Sequence, residues 1–95
     1  MATEFITIVE CCDHHHIESS FIHSLEHAGL IKITVVEKEE LIHLNQLPEL
    51  EKYIRLHYDL DINTEGIETI RHLLDKVHIL QAEVSSLKNR LRLYE

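Results

Sequence analysis

The 95-residue chain has no tryptophan, a single proline, two glycines and two cysteines, and no arginine occurs before Arg55. Each shortage removes an option. The aromatic residues, Phe5, Phe21, Tyr53, Tyr58 and Tyr94, are too few to fill a core, so the interior must be built mainly from Ile, Leu and Val. Cys11 and Cys12 are adjacent, and neighbouring residues rarely reach disulfide geometry, which suits a reducing compartment. No apolar run approaches the roughly 20 residues that span a bilayer, and no basic segment leads into an apolar stretch at the start. We therefore expect a cytoplasmic protein that makes no use of a membrane. A chain of this length buries a modest core and is short for an enzyme with a formed pocket.

Basic residues are scarce at the front. Residues 1–50 carry nine acids against two bases, Lys32 and Lys38, while residues 51–95 carry eight acids against seven bases. The halves are thus -7 and -1 of a total of -8. A surface of that sign repels phosphate backbones and attracts a basic partner.

What the chain has in quantity is heptad periodicity. From Ile70, alternate steps of three and four residues reach Leu73, Val77, Leu80, Val84, Leu87, Leu91 and Tyr94, all apolar or aromatic. These are core positions of a coiled coil, and Val77, Leu80, Val84, Leu87, Leu91 and Tyr94 are the candidate dimerisation residues. β-Branched residues alternating with Leu suit a two-stranded parallel coil, in which Glu83 would meet the second copy's Lys88 and Arg90 its Glu95. The competing reading packs the seam against its own domain near Ile70, and the strand orientation stays open. Asn63 is the expected amino-terminal cap of this helix.

Upstream, "NQLPELEKYIRLHYDLDI" predicts a shorter helix capped by Asn45, with Pro48 in its first turn and an end near Asp59. "IKITVVEKEELIHL" places β-branched residues on both sides of a polar "EKEE" tip, the pattern of a small hairpin. "ITIVECCDHHHIESSFIHSLEHAGLI" predicts a short helix, a turn, and a second helix stopped by a left-handed Gly29. In that arrangement Ile8, Cys11, Cys12, Ile22, Leu25 and Ala28 face inward.

The "CCDHHH" run invites a metal or catalytic reading, and both are weak. Adjacent cysteines leave a helix in different directions, and no second ligand cluster follows at zinc-finger spacing. A Cys–His nucleophile pair would need an exposed thiol and an oxyanion or phosphate loop, and neither is present in the pattern. We expect no catalytic residues, no metal and no cofactor.

In its order of elements the chain resembles MerR-type proteins: helix-turn-helix, hairpin wing, helix, and a helix running into a coiled seam. Within that group it looks most like the CbpM chaperone-modulator family, on "ITIVECC", "HHHIESSFIHSLEHAGLI", "LEKYIRLHYDLDINTEGIETI" and the leucine-rich "HILQAEVSSLKNRLRLY". One departure is His16, where a turn glycine is common. The resemblance implies a mainly α, MerR-like winged helix-turn-helix with a β-hairpin wing. Residues 1–62 would form that domain with its following helix, and residues 63–95 the carboxyl-terminal helix whose distal part is a coiled-coil dimerisation segment.

MerR regulators read DNA with basic residues on the second helix and the wing. By resemblance Ser19 and His23 stand where such regulators place arginine, and the wing tip here is Glu37, Lys38, Glu39 and Glu40. Neither phosphate neutralisation nor base-edge recognition is well served, so DNA is the alternative partner only, through a MerR-family transcriptional regulator. The CbpM resemblance implies another target: the J-domain of a CbpA/DnaJ-like cochaperone, whose stimulation of DnaK that family inhibits. J-domains present a basic helix, which an acidic helix-turn-helix face suits. The candidate partner-binding residues are Glu18, Ser19, His23, Glu26, Glu37, Glu39 and Glu40, on a protein expected to be a homodimer.

Overall fold

The computed structural model describes residues 4–94, so Glu95, named above as a charge partner, lies outside the described residues. The first boundary is set by Thr7-Ile-Val-Glu10. The Thr7 hydroxyl accepts the Glu10 amide at 3.1 Å and donates to the Glu10 carboxylate at 2.9 Å. That cap starts helix α1 (Ile8–His15) and leaves strand β1 (Phe5–Thr7) in front of it, where a helix was expected.

Two left-handed residues shape the helix-turn-helix. His16 ends α1 at φ 56°, and the Ile17 amide donates to the Cys12 carbonyl at 3.1 Å. The turn is therefore the one a glycine would make, held by a histidine at a backbone cost of about 1–2 kcal/mol. Helix α2 (Ser19–His27) ends at Gly29, φ 79°, with Leu30 N–H to Leu25 C=O at 2.9 Å and Gly29 N–H to Glu26 C=O at 3.0 Å. These paired bonds close the helix as its sequence predicts.

Strands β2 (Thr34–Val36) and β3 (Glu39–His43) form the wing hairpin, with Val36 opposite Glu39. Its turn is only Glu37 and Lys38, at φ 51° and 68°, so Glu39 and Glu40 belong to the strand and not to the tip. Strand β1 pairs on the other side of β3, Phe5 opposite His43 and Ile6 opposite Ile42, giving an antiparallel sheet of order β1-β3-β2.

After a short 3-10 turn (Leu44–Gln46), helix α3 (Leu47–Ile54) continues through a π turn (Arg55–Asp59) and stops at the expected place. Asn45 is not its cap. The Asn45 amide donates to His43 Nδ1 at 3.0 Å, so the histidine receives the chain as it leaves the sheet. Helix α4 (Thr64–Arg92) is capped by Asn63, whose Oδ1 accepts the Gly66 amide at 2.9 Å, as its sequence predicts.

One core joins these pieces: Ile8 and Cys11 from α1, Phe21, Ile22 and Leu25 from α2, Leu30 and Ile31 from the loop after it, Ile42 from β3, Leu50 and Tyr53 from α3, and Ile67 from α4. Cys12 is only partly buried, as the divergence of adjacent helical side chains requires. Phe21 stacks on His57 at 4.5 Å, which ties α2 to the π turn, while His57 Nδ1 donates to the Ile62 carbonyl at 2.8 Å. From His72 to Tyr94 every residue is exposed, so the distal part of a helix about 43 Å long runs clear of the head. The architecture is mainly helical with a small sheet, as the MerR-like reading expects.

The wing turn carries a measurable strain. With φ above zero at both central residues this is a type I′ turn, a conformation that Asn-Gly adopts far more cheaply than Glu-Lys. The double substitution Glu37→Asn/Lys38→Gly should raise stability by about 1–2 kcal/mol, read as a higher denaturant midpoint with an unchanged slope.

Candidate functional site

The exposed face of α2 and the inner side of the wing enclose a groove of about 430 Å³, lined in part by Val9, Ser19, His23, Lys38, Glu39 and Glu40. Ser19, His23 and Glu26 lie at i, i+4 and i+7, one strip of the helix opposite the buried Phe21, Ile22 and Leu25. His23 Nε2 sits 3.0 Å from both carboxylate oxygens of Glu40, a contact between residues 17 apart in sequence that pins the wing to α2.

Of the seven residues chosen from the sequence, Ser19, His23, Glu39 and Glu40 share this groove. Glu37 is at the wing turn and Glu26 lies a turn further along the same strip. Glu18 stands apart: its amide donates to the Tyr58 hydroxyl at 3.2 Å, and its carboxylate accepts from Ser20 at 3.3 Å. Sequence reasoning missed Val9, which is 70% exposed on α1 and forms an apolar part of the groove. The signal was available in the Thr7-x-x-Glu10 capping pattern, which fixes the helix start and turns Val9 away from the core.

The second surface is the seam of α4. Val77, Leu80, Val84, Leu87, Leu91 and Tyr94 are between 43% (Val77) and 88% (Tyr94) exposed. A shallow depression there is lined by Val77, Leu80, Gln81, Val84, Ser85 and Lys88. Nearer the head, Ile70 is half-buried, and Arg71 donates to the Leu30 carbonyl at 3.2 Å and to the Tyr53 hydroxyl at 3.0 Å. The proximal part of the helix thus packs on its own domain and the distal part does not.

The family model for the MerR HTH family regulatory protein matches residues 6–89. The chain belongs to the MerR helix-turn-helix family. It is also similar to the chaperone modulatory protein CbpM of Pseudomonas entomophila (strain L48), 26% identical over 81 residues that cover 84% of this chain and 80% of that protein. No solved structure matches it significantly. Both resemblances drawn from the sequence are met by these matches.

Within the MerR frame, the face that carries Ser19 and His23 has no arginine, and among the described residues Lys38 is the sole lysine or arginine lining the groove. No helix among the described residues is long and apolar enough to cross a membrane. The histidines of the run take separate tasks: His14 and His15 pack edge to face with ring centres 4.9 Å apart, His15 Nδ1 bonds the Cys11 carbonyl at 3.1 Å and its Nε2 lies 3.6 Å from Glu51, and His16 carries the turn. Among the described residues no group of three or more His, Cys, Asp or Glu side chains is arranged to hold a metal ion.

Burial pushes the Cys11 thiol up from 9.0 to about 11, with the neighbouring Cys12 and then Glu51 adding to it. Cys12 is also raised, by burial and then by Asp13. The thiolate is the reactive form, so a shift of that size lowers the reactive fraction of Cys11 about 100-fold near pH 8 before any steric shielding. Iodoacetamide should label Cys11 far more slowly in the native protein than in urea, as read by peptide mass spectrometry. The sign for stability follows: the folded thiol holds its proton more tightly, so stability is full below pH 9 and is lost as the pH rises toward 11.

Proposed function

We propose that this chain is a non-enzymatic chaperone modulator, acting in the cytoplasm, that binds the J-domain of a CbpA/DnaJ-like cochaperone through the acidic helix-turn-helix surface and inhibits its stimulation of DnaK. The observation that carries this reading is the charge of the face that MerR proteins use for recognition: Ser19 and His23 on α2, and Glu37, Glu39 and Glu40 on the wing against a single Lys38. Complementarity of that kind favours encounter with a basic helix and penalises phosphate. The similarity to a chaperone modulatory protein supports the same direction. Apolar neighbours supply most of the affinity, and the carboxylates steer and select.

The molecule works as a homodimer in this proposal. Residues 1–62 form the recognition unit with its following helix, and residues 63–95 the helix whose distal part pairs with a second copy along Val77, Leu80, Val84, Leu87, Leu91 and Tyr94. A 29-residue helix with an unbroken apolar stripe exposed to water is an incomplete structure, and a second copy of the same stripe completes it.

Calorimetric titration with the isolated J-domain at low and moderate salt, with a DNA duplex as control, tests the function. Salt-sensitive J-domain binding without DNA binding is expected; DNA retention with J-domain silence would make this an acidic MerR-type regulator. Replacing Glu37, Glu39 and Glu40 together by lysine should weaken J-domain binding by about tenfold or more at low salt and flatten its salt dependence. For the dimer, Leu80→Asp with Leu87→Asp should shift sedimentation to the monomer, because two charges would enter each apolar seam.

A further inference from the structure

The modulator reading puts the partner on the acidic helix-turn-helix surface, and the groove between α1, α2 and the wing narrows that surface to one seat. We infer that the basic helix of the partner seats between α1, α2 and the wing, with Val9 as its apolar contact, and that His23 occupies Glu40 as an internal stand-in for the partner's lysine or arginine. The inference rests on the proposed function and adds the contact surface and its order of events.

Three observations carry it. First, Val9 is a large apolar side chain, 70% exposed, on a helix whose neighbouring Ile8 and Cys11 are fully engaged in the core. Its position is set by the Thr7 cap, and it gives the groove an apolar side chain open to solvent. Second, the charged side chains beside it are two acids and one lysine, Lys38, a net negative edge. Glu39 and Glu40 line the groove directly, and Glu10 is bonded at 2.9 Å to Thr7, which also lines it. An amphipathic segment with lysine or arginine beside its apolar residues matches both parts, whereas a phosphate backbone would meet carboxylates where it needs cations.

Third, the contact of His23 with Glu40 is of a replaceable kind. One imidazole nitrogen is shared by two carboxylate oxygens at 3.0 Å, and both side chains remain nearly half exposed. An ammonium or guanidinium brings several donors and a permanent charge to the same carboxylate. Exposed pairs of this sort are weakly held, so an arriving cation takes Glu40 and releases His23. Until then the pair only bridges the wing to α2 across the mouth of the groove.

The test is titration of the full chain and single variants with the isolated J-domain. Val9→Asp should weaken binding by about tenfold or more, because a charge enters the apolar contact. Glu40→Gln should weaken it by about three- to fivefold and reduce the salt dependence, as for an exposed pair. His23→Ala should keep the affinity or tighten it by about two- to threefold, since no internal bond has to be released. Circular dichroism and melting of each variant confirm folding, and amide shifts of the wild-type chain on binding should cluster at Val9, Ser19, His23 and Glu40. Wild-type binding that is unchanged by Val9→Asp and Glu40→Gln would overturn the groove alone. A loss with His23→Ala as large as with Glu40→Gln would overturn the displacement. Silence of the wild-type chain would overturn the modulator reading itself, and the groove with it.

Discussion

The head exists because α4 reaches into it. Helices α1, α2 and α3 are eight or nine residues long and the strands three to five, lengths at which isolated elements are marginal in water. They become stable by sharing one core, and Ile67, fully buried at the first turns of α4, belongs to that core. Arg71, one turn later, bonds a loop carbonyl at Leu30 and the hydroxyl of Tyr53, so the helix is keyed to two other elements at once. The Ser24 and Thr64 hydroxyls, 3.1 Å apart, add a link from α2 to the start of the same helix. Without those first turns the core shared by the hairpin, the helix-turn-helix and α3 would be open to water where Ile67 now closes it.

The long helix was the most legible part of the sequence because a heptad repeats and caps are local: Asn63 bonds the amide its position predicts. Gly29 was legible for the same reason. The front was harder. Phe5–Thr7 has only three strand residues, and its identity comes from pairing with β3 nearly 40 positions away, which no local propensity carries. Asn45 failed as a cap because His43, leaving the sheet, accepts its amide and begins a 3-10 turn first. The wing was seen as a hairpin, yet its tip was drawn too wide, since Glu-Lys is not a pair that announces a two-residue primed turn. Four of the seven chosen surface residues share one groove, but Val9 was invisible while the helix start was misjudged.

The MerR frame and the surface chemistry point in different directions, and that contrast is informative. The backbone geometry of a helix-turn-helix with a wing depends on its buried residues, which are conventional here: Ile22, Leu25, Ile42, Leu50 and Ile67. The exposed strip of α2 is under no such control and can carry either sign of charge without disturbing the core. Acidic residues on the wing, and Ser19, His23 and Glu26 on α2, therefore set the chemistry of the surface without changing the fold.

The strain at Glu37 and Lys38, and the left-handed His16, are borne by a domain whose core is small, so little reserve is left for further loss. Against that background, the continuity of α4 has a thermodynamic consequence. The same rod that closes the core ends in the exposed seam, so the native tail surface exists only while the rod is helical. Any molecule that binds the seam in its helical form is linked to folding of the whole head, and stabilises it in proportion to the logarithm of its concentration. Melting of the head thereby becomes a property of the solution as well as of the chain.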